Sequence, residues 1–218
     1  MAKQYVVIGM GRFGTSVAKT LGKLGQEVLA IDTDEEKLHY VADDVTHTLV
    51  ADTTDAHVLE SIGMKNFDVA VVAIGENIQA NIMTTLLLKE IGVPYVVAKA
   101  VNKMEGRVLE KVGADRIVFP ERDMGKRIAH NLVASNLIDY IELPEGFRIM
   151  EVIATKEMFG QNLKTLNLRA KYNVNILLIK KPSGKLLFTP GPGDVVEIGD
   201  LLVVAGEKEA IDQFEQNI

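Results

Sequence analysis

A glycine turn between an apolar run and a helical pattern constrains this chain more than any other feature. Tyr5-Val6-Val7-Ile8 leads into Gly9-Met10-Gly11-Arg12-Phe13-Gly14, after which Val17, Ala18, Leu21 and Leu24 fall on one helical face. Strand, G-x-G-x-x-G and helix in that order separate a dinucleotide-binding βαβ unit from a chance spacing of glycines. Gly9 permits the tight turn, Gly11 lets main chain approach a pyrophosphate, and Gly14 lets helix and strand pack closely. The free N–H groups at the helix start then face an anion. A plain strand–turn–helix also uses small residues here, but the acid that follows at Asp32 argues for a nucleotide.

The 218 residues suffice for one large domain, or for a medium and a small one. The net charge of −6 speaks against a general nucleic-acid binder, which needs a basic surface. The chain has no cysteine, so disulfides, thiolate catalysis and Cys-ligated zinc are excluded. No apolar stretch approaches the roughly 20 residues of a membrane span, and the N-terminus lacks the apolar core of a signal peptide. A cytoplasmic protein is expected, one that can still dock onto a membrane protein.

The first part alternates short β-rich runs with amphipathic segments. Strands are expected at Tyr5–Ile8, Glu27–Asp32, Thr46–Ala51, Asp68–Ile74, Tyr95–Ala98 and Arg116–Phe119. Helices are expected after the glycine turn and over Glu35–Ala42, Ala56–Met64, Asn77–Ile91, Met104–Val112 and Met124–Leu137. This alternation predicts an α/β fold, a Rossmann-like doubly wound parallel sheet with helices on both faces. The expected strand order is 3-2-1-4-5-6, with the ligand crevice between strands 1 and 4. The segment Asn77–Ile91 is apolar nearly all round, as in a helix buried on more than one side. Its second face then meets either a second subunit or the rest of its own domain.

Leu143-Pro144-Glu145-Gly146 is a turn-like break and sets the expected domain boundary. Residues 1–143 form the nucleotide-binding domain with its crossover helix, and residues 144–218 a small α+β C-terminal domain. In the latter, strands are expected at Ile149–Ala154, Val174–Lys180 and Leu201–Ala205, with a turn at Pro182-Ser183-Gly184 before Lys185–Phe188 and a second at Pro190–Gly193 before Val195, Val196 and Ile198. Helices are expected at Leu163–Tyr172 and Lys208–Gln216. A domain this small is marginal alone, so dimerisation is expected.

In a doubly wound sheet the ligand groups come from the carboxyl ends of the strands. Strand 2 ends at Asp32-Thr33-Asp34, where an acid takes the ribose hydroxyls at a spacing of about 20 residues and repels a 2′-phosphate. Strand 3 ends at Asp52-Thr53, placed for an adenine edge. Strand 4 ends at Ala73-Ile74-Gly75-Glu76, across the crevice from the glycine turn. Strand 5 ends at Lys99 and strand 6 at Pro120-Glu121. The Arg12 guanidinium, inside the glycine turn, can meet terminal phosphate oxygens, and Lys99 is a second candidate cation. Two readings of Glu121 stand: a ligand that holds Mg²⁺ or Ca²⁺ against the phosphates, or a first-turn acid favouring a helix N-terminus.

His39, His47, His57 and His130 pair with no acid at a catalytic spacing, so all four are assigned to surface or core. No nucleophile–base pair, kinase signature or Walker lysine is present. No catalytic residue is assigned, and the chain is expected not to be an enzyme.

Taken together, Val7–Gly14, Ala51–Asp55, Val72–Ala80 and Gly113–Glu121 resemble the RCK family, regulators of potassium conductance. The likeness is closest to the cytosolic regulatory subunit of Ktr-type bacterial potassium uptake systems and covers essentially the whole chain. It implies dimers that assemble into an octameric ring beneath a membrane-embedded potassium transporter, with ATP and ADP favouring different ring shapes. By the same likeness, Gly9, Gly11, Phe13 and Gly14 cradle the nucleotide. Arg12 reaches the γ-phosphate of its own or a neighbouring subunit's nucleotide, Asp32 holds the ribose with Asp34 near it, and Glu121 joins a divalent cation. The C-terminal domain of the family can bind cyclic di-AMP, and Arg169, Asn175, Ile176 and Pro190 fall where that pocket would be. An NAD-dependent oxidoreductase, or an NADH-sensing regulator of the same fold, is the second reading. A transcription regulator is disfavoured by the acidic balance.

Overall fold

The computed structural model describes residues 3–133 and 137–218. They form two units, Met1–Asp123 and Met124–Ile218.

In the first unit the elements are β1 (Gln4–Ile8), α1 (Arg12–Lys23), β2 (Glu27–Asp32), α2 (Glu35–His39), β3 (His47–Val50), α3 (Ala56–Ile62), β4 (Val69–Val72), α4 (Ile78–Ile91), β5 (Tyr95–Lys99), α5 (Lys103–Lys111) and β6 (Arg116–Val118). The six strands are all parallel, in the order β3-β2-β1-β4-β5-β6 that the sequence predicts. Ile8 lies beside Ile31 on one side and Val72 on the other, so the glycine turn leaves the sheet at its centre. The apolar runs are continuous because both faces are covered. Along β1, Val6 and Ile8 enter one core with Leu59 and Leu88, while Val7 enters the other with Ala18 and Leu38. That is the two-residue period of a strand.

Asp55, Asn77 and Asn102 each cap a helix by accepting a main-chain N–H, as side-chain oxygens at such starts do. The inward face of α4 is not the apolar one its composition suggests. Asn81, Thr84, Thr85 and Leu88 are buried there, whereas Ile78 and Met83 are exposed.

The helix that follows β6, α6 (Pro120–Val133), begins at Pro120 rather than at Met124. Proline suits the first helical position, where no N–H is required, and Glu121 and Asp123 follow in the first turn.

The second unit holds β7 (Leu137–Glu142), β8 (Phe147–Ile153), α7 (Leu163–Leu166), α8 (Leu168–Tyr172), β9 (Asn175–Lys180), β10 (Leu186–Phe188), β11 (Leu201–Glu207) and α9 (Lys208–Gln216). Its strands pair antiparallel in the order β10-β9-β11-β8-β7. Met150, Val152, Ile179, Leu202 and Val204 bury one sheet face together with Ile211 and Phe214 of α9. The expected helix over 163–172 is interrupted at Asn167, whose φ of 47° is left-handed, giving two short helices. Residues 195–198 do not form a strand beyond a single bridge between Asn162 and Val195. Leu137, expected at the end of a helix, opens β7, and the turn at Pro144–Gly146 joins β7 to β8 within this unit.

Candidate nucleotide-binding site

The glycine turn and the end of β4 touch. Gly9 has φ 93°, its N–H donates to the Ile31 carbonyl at 2.7 Å, and an added Cβ would stand 3.0 Å from the main chain of Ala73 and Ile74. At Gly14 an added Cβ would stand 1.9 Å from the Gly9 carbonyl oxygen, so helix and turn fit only without a side chain. Gly11 is different: nothing lies within 4 Å of where its Cβ would be. It opens α1 with no capping side chain and no acid in the first turn. Main-chain N–H groups at such a helix start suit an anion. An open glycine there, between two closed ones, fits a phosphate in close approach.

Asp32 ties the turn to β2. Its Oδ2 accepts the Met10 N–H at 2.6 Å, and its Oδ1 accepts the Asp34 N–H at 3.0 Å. An ionised carboxylate has about four acceptor positions, so it can still take ribose hydroxyls. The Lys37 ammonium lies 3.9 Å from Asp32 and 3.7 Å from Asp34. Thr33 is exposed, and Asp34 caps α2 through the Glu36 N–H at 3.0 Å.

At the end of β3, Asp52 accepts the N–H and hydroxyl of Thr54 at 2.9 and 2.7 Å, which hold its carboxyl below the usual range. Thr53 is buried, with its hydroxyl 2.9 Å from that of Thr84 on α4. Its side chain therefore faces the helix, leaving Asp52 and the main chain for a base.

Beyond β4, Lys99 and Glu121 come together. The Lys99 ammonium is 2.7 Å from Glu121 Oε1, and it would lie 3.2 Å from a Cβ placed on Gly75. Lys99 is largely enclosed, while Glu121 is exposed. The Lys99 hydrogen bond, then the main-chain N–H of Glu121 itself, hold this carboxyl below its usual range against a smaller effect of burial. The Arg12 guanidinium adds its field from the glycine turn. Arg12 and Glu76 are both exposed. Arg12, Lys99 and Glu121 thus form a charged group at the carboxyl edge of the sheet.

Among the described residues no cluster of three or more His, Asp or Glu could hold a metal ion. A divalent cation at Glu121 would therefore need phosphate oxygens for its other positions, as hard cations bound with nucleotides commonly do. His39, His47 and His57 are exposed, and the side chain of His130 lies outside the described residues. In the second unit, Arg169 is exposed on α8, Asn175 and Ile176 open β9, and Pro190 follows β10.

Two partners of this site are not legible as a motif. Asn81 donates its amide to the Lys99 carbonyl at 2.7 Å and to Glu105 Oε1 at 2.9 Å. The only local signal is an asparagine between Ala80 and Ile82 in a helix rich in apolar residues.

The family model for the TrkA-N domain matches residues 5–120, and that for the TrkA-C domain matches residues 142–218. The chain is 46% identical over 218 residues to Ktr system potassium uptake protein C of Bacillus subtilis, covering 100% of this chain and 98% of the relative. This chain belongs to the RCK family. A second RCK relative, Ktr system potassium uptake protein A of the same organism, is 46% identical over 213 residues, 98% of this chain and 96% of the relative. The solved GsuK channel matches with a TM-score of 0.54 at 23% identity, over 98% of this chain and 38% of that one. At that identity the likeness speaks for the fold. No described helix of this RCK chain is long and apolar enough to cross a membrane.

Proposed function

We propose that the chain is a nucleotide-sensing regulatory subunit of a membrane potassium uptake system. The observation that carries this reading is the charged group Arg12, Lys99 and Glu121 beside an open Gly11. Binding dominates in this arrangement. A diphosphate rests on the α1 N-terminus, and a third phosphate adds negative charge among Arg12, Lys99 and Glu121. Lys99 would then exchange its carboxylate partner for phosphate oxygens, and Glu121 would be the residue to hold Mg²⁺ or Ca²⁺, which would supply further positive charge for the phosphate. ATP and ADP consequently differ in affinity for two conformations, which is what a ligand needs in order to shift an equilibrium. No bond is broken, so the chain acts as a switch and not as an enzyme.

The names of the two Bacillus relatives support potassium uptake as the process regulated. The assembly is a homo-oligomer, dimers arranged in an octameric ring that docks on the cytoplasmic face of a transporter. Cyclic di-AMP bound near Arg169, Asn175, Ile176 and Pro190 is a second input. Light scattering of the purified chain with ATP and with ADP tests the assembly. Ring-sized particles under both nucleotides are expected, and a monomer under both would overturn the reading.

Asp32 favours one alternative, because a ribose acid serves NADH equally well. Competition decides: NADH that displaces ATP at lower concentration than ADP does would make the chain an NADH sensor.

A further inference from the structure

Behind the phosphate-facing groups lies a buried polar lock. Asn81 is fully buried in the second turn of α4, and Glu105 is 4% exposed in the first turn of α5. The Asn81 amide N–H₂ donates to the Lys99 carbonyl at 2.7 Å and to Glu105 Oε1 at 2.9 Å. Glu105 Oε2 accepts the Val101 N–H at 2.8 Å, and the Glu105 N–H donates to Asn102 Oδ1 at 2.9 Å. Both partners of the Asn81 amide are acceptors, so its nitrogen must face them. Asn81 Oδ1 has no hydrogen-bond partner among the described residues. Leaving a buried acceptor bare is costly, so a purely structural contact would be an expensive way to join two helices.

We infer that Asn81 and Glu105 are positioning residues for phosphate recognition, fixing the main chain of Lys99 so that its ammonium is held at the Gly75–Glu121 side of the crevice. The lock joins the two loops that flank this part of the site, because α4 follows Gly75-Glu76 and α5 follows Lys99. Capping alone does not account for it. Asn102 already caps α5 within its own loop, whereas Asn81 reaches across from another helix. The hydrogen-bond count demands a carboxylate at 105. Asn81 and Val101 each bring a donor, so both side-chain oxygens must accept, and a glutamine must turn its own N–H₂ toward one of them. Reversing the Asn81 amide does not help, since its oxygen would then face the Lys99 carbonyl. The inference rests on the nucleotide reading above for its purpose, while the lock itself is a matter of geometry.

The test compares the full-length wild type, Glu105→Gln and Leu109→Ala. Leu109 is fully buried on the same helix, outside the lock, and controls for lost stability. Two quantities are measured beside Tm: the acylation rate of Lys99 by an amine reagent, followed by mass spectrometry, and the ratio of ATP to ADP affinity with Mg²⁺. Glu105→Gln is expected to speed Lys99 acylation about fivefold and to cut the affinity ratio about tenfold, a change of about 1.4 kcal/mol. Leu109→Ala is expected to lower Tm and leave both unchanged. Asn81→Ala replaces Glu105→Gln if the latter does not fold. Wild-type acylation and an unchanged ratio in a folded lock variant would overturn the inference. Faster acylation in the variant, with a wild type that binds neither nucleotide, would uphold the positioning of Lys99 and overturn the nucleotide reading instead.

Discussion

The Lys99 ammonium and the Glu121 carboxylate stand 2.7 Å apart, although 22 residues separate them in the chain. The pair closes the carboxyl edge of β5 against the first turn of α6. It sets a cation that can neutralise phosphate beside an anion that can hold metal. The contact is an exposed one on the Glu121 side, so it contributes little to stability. On the proposed reading, what it provides is a charge arrangement that an incoming phosphate would exchange.

Removing the anion should therefore be read out through metal. Glu121→Gln is expected to bind ATP with an affinity that gains less from added Mg²⁺ or Ca²⁺ than that of the wild type. Calorimetry with and without the cation checks this. An equal gain from cation in wild type and variant would remove Glu121 from the metal site.

The guanidinium in the glycine turn has the opposite charge and a different dependence. Arg12→Ala should weaken ATP about tenfold more than ADP, the value of one charge-assisted hydrogen bond. Equal losses for the two nucleotides would place Arg12 away from the terminal phosphate.

The glycines separate folding from binding. At Gly14 an added methyl meets the Gly9 carbonyl at 1.9 Å, so Gly14→Ala should destabilise by on the order of 3 kcal/mol. At Gly11 the space is open, so Gly11→Ala should fold with a cost within about 1 kcal/mol and lose nucleotide. Thermal melts with and without ATP distinguish the two. A normal melt for Gly14→Ala would mean that the turn is more yielding than its geometry implies.

Acid should unpick a contact remote from the nucleotide. Burial raises the Asp115 carboxyl, but the Lys89 ammonium and the Val96 N–H outweigh it and leave the group below its ordinary 3.8. A carboxyl depressed in the folded state adds stability above its unfolded value and loses it as pH falls through the folded one. Asp115→Asn should then melt a few degrees below wild type at neutral pH, with the gap closing below about pH 4. A gap that stays constant from neutral to acid pH would show that the ion pair is not its source.

Much of this was legible in the chain. Apolar runs such as Val6–Ile8 and Val69–Val72, separated by helical periods, carry the parallel sheet and its order, because both faces are buried by local elements. The glycine turn and Asp32 were legible because their spacing is local. The pairing of Lys99 with Glu121 was not: the strand ends bring each residue to the crevice, but no spacing in the chain says that the two meet. Asn81 was hidden in the same way: on an apolar helix a polar residue reads as solvent-facing until the sheet shows which side is covered. The break at Asn167 depends on one left-handed residue, which no periodicity records.

The most direct test of the account is calorimetric titration of the nucleotide-stripped chain with ATP and with ADP in the presence of Mg²⁺. Both nucleotides should bind, with measurably different affinity, and the difference should shrink when Arg12 is replaced by alanine. Absence of binding by either nucleotide, or identical affinities for the two, would contradict a phosphate-counting switch at Arg12, Lys99 and Glu121.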